Sequence, residues 1–174
     1  MRSRKFAVAA AACAFVLVPA ATASAGSGPV PDSSKRAPVK STAPSAQGNP
    51  RSLNAEAVGV CPDAYQIGTT GYVKRGSETI ASVKQFYSPT CQENYGYLWV
   101  WQGFRDKHGD YDVNSAVYSY SQDEVLGARA WTDSNGQEYW SYPTDTVRDC
   151  TAAVGAVRPA GSPLAYQAAS SKRC

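Results

Sequence analysis

The placement of cysteines constrains the fold of this 174-residue chain more than any other feature of its sequence. Four of the five cysteines lie in the C-terminal two thirds of the chain: Cys61, Cys91, Cys150 and Cys174. An even set of cysteines in an exported protein predicts a disulfide framework. Of the three possible pairings we favour Cys61–Cys91 with Cys150–Cys174, because each bridge then closes a short loop. Each would stabilise the fold by roughly 3 to 4 kcal/mol on the chain-entropy account.

The N-terminal segment has the three parts of a secretory signal peptide. A short basic start precedes an apolar run over residues 6–18, and small residues, Ala23 and Ala25, stand at −3 and −1 of the expected cleavage site. The run is shorter than the roughly 20 residues needed to span a bilayer. We therefore predict that residues 1–25 are a signal peptide, that Cys13 is removed with it, and that the protein is secreted without a membrane span.

Removal of the signal peptide also changes the net charge. The whole chain has 17 Lys and Arg against 14 Asp and Glu, and three of the basic residues, Arg2, Arg4 and Lys5, lie in the signal peptide. The remaining chain has equal numbers of both signs. A chain that is neutral overall argues against nucleic acid as a partner.

Composition divides the remaining chain into two parts. Residues 26–59 contain five prolines and no aromatic residue, so we predict a disordered linker or propeptide. Residues 60–174 contain all 11 tyrosines and all four tryptophans, and they form a single domain of typical length.

Alternating apolar and polar residues in 60–174 predict strands. The segments 70–75 and 78–87 flank a two-residue turn at Gly76 and Ser77, and 95–104 is an aromatic strand covered on both faces. Further strands are expected at 111–120, 125–132 and 137–142, with 133–136 as the strongest hairpin signal. The alanine-rich tail, 151–169, allows at most a short helix. Together these predict an all-β fold, a small disulfide-stabilised sandwich or barrel.

One motif resembles a known family. The run Tyr87-Ser88-Pro89-Thr90-Cys91, followed by the aromatic strand, is similar to the Tyr-Ser-Pro-x-Cys signature of a family of small secreted Gram-positive bacterial proteins of unknown function. The resemblance covers residues 60–105, and Cys61-Pro62-Asp63 matches the family's upstream cysteine turn in part. It implies a small secreted β domain and no particular activity.

Catalytic chemistry has few candidates in this sequence. His108, the single histidine, lies in a charged turn without a nucleophile motif, so we interpret it as a loop residue. A carboxylate pair for glycoside hydrolysis would have to come from acidic residues in or beside turns. The candidates are Glu93, Asp110, Asp112, Glu124 and Glu138.

Metal binding has two possible sources. Asp110-x-Asp112-x-Asn114 has the first ligand spacings of a calcium loop, but Ser115 and Ser121 replace the glycine and glutamate of that loop. Zinc is disfavoured by the absence of a CxxC motif and the single histidine. We predict neither a metal nor a cofactor.

Aromatic abundance is the remaining functional signal. Tyr and Trp are favoured where a surface meets a ligand, and they could form a stacking platform for sugar rings. The candidates are Tyr97, Trp99, Trp101, Trp131 and Trp140. The alternative is that they fill the core, which is expected of Trp99 and Trp101 on a central strand, so Trp140 is the best candidate for exposure.

Three hypotheses follow. The first is a non-catalytic, cell-envelope-associated binding module whose partner is a cell-wall polysaccharide or an extracellular protein. The second is a secreted protease inhibitor that presents a rigid loop, 103–110 or 132–138. The third is an extracellular hydrolase that uses acidic residues.

Overall fold

The computed structural model describes residues 48–174, which form an all-β sandwich with two disulfides. The predicted signal peptide and most of the predicted linker lie outside these residues. The elements are α1 (Leu53–Glu56), β1 (Tyr65–Arg75), β2 (Glu78–Ser88), β3 (Glu93–Val100), α2 (Gln102–Arg105), β4 (Tyr111–Ser119), β5 (Glu124–Ser134), β6 (Glu138–Trp140), β7 (Thr151–Pro159) and β8 (Tyr166–Ala169). The predicted all-β class is confirmed.

Two antiparallel four-stranded sheets form the sandwich. The first sheet has the order β1-β2-β3-β6 and the second β5-β4-β7-β8. Between them lies a core of buried apolar side chains that includes Val83, Leu98, Val113 and Val157. The β1–β2 hairpin is as predicted: Arg75 pairs with Glu78, and Gly76 adopts the left-handed backbone that its tight turn requires.

The predicted hairpin at 133–136 is wrong. β5 and β6 belong to different sheets, since β5 pairs with β4 and β6 with β3. The connecting loop instead crosses between the sheets. The Tyr111 and Tyr139 hydroxyls donate to the Gly136 carbonyl, and the Arg105 guanidinium donates to that of Asn135. These tertiary contacts determine the path of the loop despite its strong local turn signal.

Two further strand boundaries differ from expectation. The aromatic strand ends at Val100 rather than at residue 104, because α2 folds Phe104 back onto the core, where it packs against Tyr111. The alanine-rich tail contains β7 and β8 and no helix over 151–169. β7 pairs with β4 along its whole length, and this ladder outweighs the helical preference of alanine.

The end of the predicted linker is ordered. Residues 48–59 contain α1, whose first turn is capped by the Ser52 hydroxyl accepting from the Ala55 amide at 3.1 Å. Ala55 and Val58 pack onto aromatic side chains of the first sheet's outer face, Phe86, Tyr97 and Trp140. The expectation of disorder is therefore wrong for this part of 26–59, because covering an aromatic sheet face offsets the entropy cost of ordering the segment.

Both favoured disulfides are confirmed. Cys61–Cys91 joins the segment before β1 to the β2–β3 turn, and Cys150–Cys174 joins the start of β7 to the last residue. Beside the second bridge, Thr151 and Arg173 exchange backbone hydrogen bonds at 2.6 and 2.7 Å. In residues 48–174 we find no helix that is long and apolar enough to cross a membrane.

Candidate functional site

The structure separates the five predicted aromatic site residues into buried and accessible ones. Trp140 and Tyr97 are buried, at 1% and 0% exposure, beneath the segment that carries α1. Trp99 and Trp131 are half-buried, and Trp101 is exposed. The expectation that Trp140 is the most exposed member is therefore wrong, because the ordered segment that covers it was predicted to be disordered.

A continuous row of side chains crosses the outer face of the first sheet. Tyr72 pairs with Ser82, Ser82 with Trp99, and Trp99 with Glu138, one residue from each of the four strands. At a strand spacing of about 4.8 Å, the row is roughly 15 Å long. We call these four residues, together with Trp101, the aromatic row.

Trp101 completes the row at the β1 end. Its Nε1 donates to the Ser82 hydroxyl at 2.7 Å, and its ring meets that of Tyr72 edge to face, with centroids 6.3 Å apart. Tyr72 is 51% exposed and Trp101 37%, so both rings present surface to solvent while their positions are fixed. Tyr72 was not among the sequence candidates, although its alternation with Gly71 and Val73 placed it on a sheet face.

A basic group lies beside the row. Lys84 follows Ser82 by two residues on β2 and is half-buried. Burial lowers the pKa of its amine below the ordinary value. Its cross-strand neighbour is the buried Tyr97.

A cleft of about 230 Å³ opens where the row reaches the edge of the sandwich. We call it the edge cleft; its walls come from β5, β6 and α1. The residues that line it include Arg129, Trp131, Glu138 and Asn54. Glu138 belongs to both the row and the cleft, and its Oε1 accepts from the Ser52 hydroxyl and from Trp140 Nε1, each at 2.9 Å.

A larger groove, of about 700 Å³, lies over the outer face of the second sheet. Its floor consists of small side chains contributed by all four strands. They include Ala116, Ala128, Ala156 and Ala169. Its polar lining residues are Asn114, Gln167 and Arg129, and Arg129 also lines the edge cleft.

Three of the acidic candidates, Glu93, Glu138 and Asp112, accept hydrogen bonds from named partners. Glu93 accepts from the Tyr95 hydroxyl at one end of β3, and Glu138 pairs with Trp99 near the other, roughly 20 Å away along the strand. Hydrogen bonds from Arg158 and from the Asp133 amide lower the pKa of Asp112, so this group stays ionised and is unsuited to act as a general acid. Asp110 and Glu124 are exposed.

His108 has a structural environment. Its Nε2 lies 2.9 Å from the Arg75 guanidinium, which can only donate, so Nε2 is the acceptor. The imidazole packs on the Phe104 ring with centroids 4.4 Å apart. These contacts fix α2 against the β1–β2 hairpin, as expected of a loop residue.

The metal hypotheses gain no support from the described residues. Asp112 and Asn114 lie on β4, and Asp112 is paired with Arg158, so 110–114 does not form a calcium loop. Cys61, Cys91 and Glu93 come close together, but the two sulfurs form a disulfide and are not thiolate ligands.

The two loops considered for protease inhibition are held against each other. Residues 102–105 are helical, and the Arg105 guanidinium bridges to the Asn135 carbonyl at 2.8 and 3.2 Å. The 132–138 loop is further tied down through Gly136.

Comparison of the chain with protein-family models, curated proteins and solved structures gives no match.

Proposed function

We propose that this protein is a secreted, non-catalytic domain that binds a polysaccharide of the cell envelope along the aromatic row. The observation that carries the proposal is the register Tyr72–Ser82–Trp99–Glu138, which runs across four strands and, with Trp101 bonded to Ser82, brings three aromatic rings and the Glu138 carboxylate onto one face. Sugar rings offer apolar C–H faces and polar hydroxyl edges. Aromatic rings can stack on the C–H faces, and a carboxylate at the end of the row can accept from a hydroxyl.

The rigidity of the row supports the proposal. Ser82 is fully buried under the Trp101 indole, and their hydrogen bond fixes the ring that a ligand would contact. Trp99 packs against the buried aromatic cluster on its other side. Rings that are already ordered lose little conformational entropy on binding.

Export is part of the same proposal. The two disulfides suit an oxidising compartment, and the N-terminal sequence has the form of a signal peptide. Residues between the signal peptide and Gly48 would act as a tether to the cell surface or as a propeptide. The resemblance of 87–91 to a family of secreted Gram-positive proteins agrees with this location.

The test is sedimentation of the protein with purified cell-wall sacculi and with soluble wall polysaccharide. Trp101→Ala should weaken binding about tenfold, which corresponds to about 1.4 kcal/mol of ring contact. Tyr120→Ala is the matched control, because Tyr120 is an equally exposed ring that follows β4 in the second sheet. Binding that is absent from every wall fraction, or equal in the Trp101→Ala and Tyr120→Ala variants, would refute the proposal.

A further inference from the structure

Arg129 on β5 has an unusual environment. Its guanidinium lies between two aromatic rings, 4.7 Å from the ring centre of Trp131 and 5.0 Å from that of Tyr142. Within residues 48–174 it makes one hydrogen bond, a long one of 3.4 Å to the Trp140 carbonyl, and no ion pair. A guanidinium has five N–H donors, so most of them are not used by this part of the chain.

Three other cations of the domain have polar partners. Arg158 pairs with Asp112, Lys107 with Glu78, and Arg105 with a loop carbonyl. Arg129, by contrast, is half-buried against two aromatic rings, without a carboxylate partner among the described residues. A planar guanidinium held against aromatic rings is well suited to bidentate binding of a carboxylate or phosphate.

The position of Arg129 connects it to the aromatic row. Arg129 and Glu138 both line the edge cleft, and Glu138 is the cross-strand partner of Trp99. The Glu138 carboxylate is already engaged by Ser52 and Trp140. As a hydrogen-bond acceptor, Glu138 can accept from a ligand hydroxyl, whereas the positively charged Arg129 is the cleft residue that can bind an anion.

We propose that Arg129, clamped between Trp131 and Tyr142, binds the carboxylate or phosphate groups of an acidic polysaccharide whose sugar rings lie on the aromatic row. This inference rests on the proposed function and names the class of its ligand. The neutral net charge of the chain after signal-peptide removal does not argue against this proposal. A single guanidinium selects an acidic ligand through the groups next to it and not through the net charge of the protein.

The central comparison is between two polymers that differ in charge alone. Polygalacturonate carries one carboxylate per sugar, and its fully methyl-esterified form is the neutral match. Dextran phosphate, which also has sugar rings, tests phosphate as the alternative source of charge. Wild-type protein should bind the acid form at least tenfold more tightly than the ester at 50 mM salt. The preference should shrink at 300 mM salt. Stronger binding of dextran phosphate would assign the anion to phosphate, and stronger binding of polygalacturonate to carboxylate.

Substitutions at Arg129 test whether this residue causes the preference for the acid form. Arg129→Gln should bind the acid form no more tightly than the ester, and Arg129→Lys, which keeps the charge without the planar fork, should restore part of the preference. Arg148→Gln is the control at an exposed arginine. Each variant's denaturation midpoint verifies that it is folded.

Failure of this inference and failure of the proposed function give different results. An Arg129→Gln variant that keeps the full preference, or a wild-type protein that binds acid and ester equally, overturns the role of Arg129 alone. Loss of binding to all three polymers and to every wall fraction overturns the proposed function and this inference with it.

Discussion

The carboxylate of Asp63 accepts a hydrogen bond from the Ser88 hydroxyl, with 2.6 Å between the two oxygens. Its second oxygen accepts from the Thr90 amide, and the Ser88 hydroxyl in turn accepts from the Cys91 amide. These contacts join the turn after Cys61 to the Tyr-Ser-Pro-Thr-Cys run beside the first disulfide. The Tyr-Ser-Pro-Thr-Cys run thus has a structural role, which is to position Cys91 for its disulfide with Cys61.

Asp63→Asn should destabilise the fold by about 1 kcal/mol at pH 7. Partial desolvation raises the pKa of Asp63, but the hydrogen bonds from Ser88 and Thr90 outweigh it and hold the pKa below 3.8. A lowered pKa means that this stabilisation is present above the ordinary value and is lost as the pH falls through the folded value. Urea denaturation at pH 7 and pH 3 should give a difference from wild type that shrinks at the lower pH. Exposed Asp145→Asn is the control, and a pH-independent difference would contradict the prediction.

Trp140→Ala should destabilise the protein by about 3 to 5 kcal/mol. The indole is buried among Phe86, Tyr97 and the α1 segment, with its centroid 4.8 Å from that of Phe86 and 4.6 Å from that of Tyr97. Its removal leaves a cavity and takes away one of the two hydrogen bonds that Glu138 Oε1 accepts, the other coming from the Ser52 hydroxyl. Chemical denaturation measures the cost, and exposed Tyr120→Ala should change stability by less than about 1 kcal/mol. Similar small losses in both variants would mean that Trp140 is not a core residue.

The sequence was sufficient for the class of fold and for both disulfides, because strand alternation and loop length are local properties. It was insufficient where distant parts of the chain decide the structure. Residues 133–136 have ideal turn chemistry, but Tyr111 and Arg105, far away in sequence, direct the loop from one sheet to the other. The sequence also could not show that Trp101 is more exposed than Trp140. Their exposure depends on which part of the first sheet the α1 segment covers. Nothing in the spacing of Tyr72, Trp99 and Arg129 indicates that one surface includes all three.

Ala55→Asp tests whether the 48–59 segment is an integral part of the domain. Ala55 has no exposed surface, and it contacts the aromatic cluster of the first sheet. An unpaired charge there should cost about 3 kcal/mol or more, or detach the segment. Detachment would expose the Trp140 ring, which increased binding of a hydrophobic dye and a red-shifted tryptophan emission would report. Leu53→Asp, at an 82% exposed position of the same helix, should leave both signals unchanged.

The protein should lose stability between about pH 10 and about pH 12 because buried tyrosines resist ionisation. Burial raises the pKa of Tyr95 to about 12, and burial raises those of Tyr97 and Tyr111 well above the ordinary value of 10. For a group whose pKa is raised in the folded state, stability is intact below the unfolded value and falls as the pH rises toward the folded one. Each such tyrosine adds up to about 1.4 kcal/mol per pH unit to the slope.

Urea midpoints measured from pH 8 to pH 12, together with tyrosinate absorbance at 295 nm, would follow this loss. Tyr95→Phe should give a shallower decline above pH 10, although it is less stable at neutral pH because its hydrogen bonds to Glu93 and to the Cys61 amide are absent. Exposed Tyr120→Phe is the matched control and should leave the slope unchanged. A decline of equal slope in wild type and Tyr95→Phe would mean that Tyr95 ionises as readily in the folded protein as in the unfolded chain.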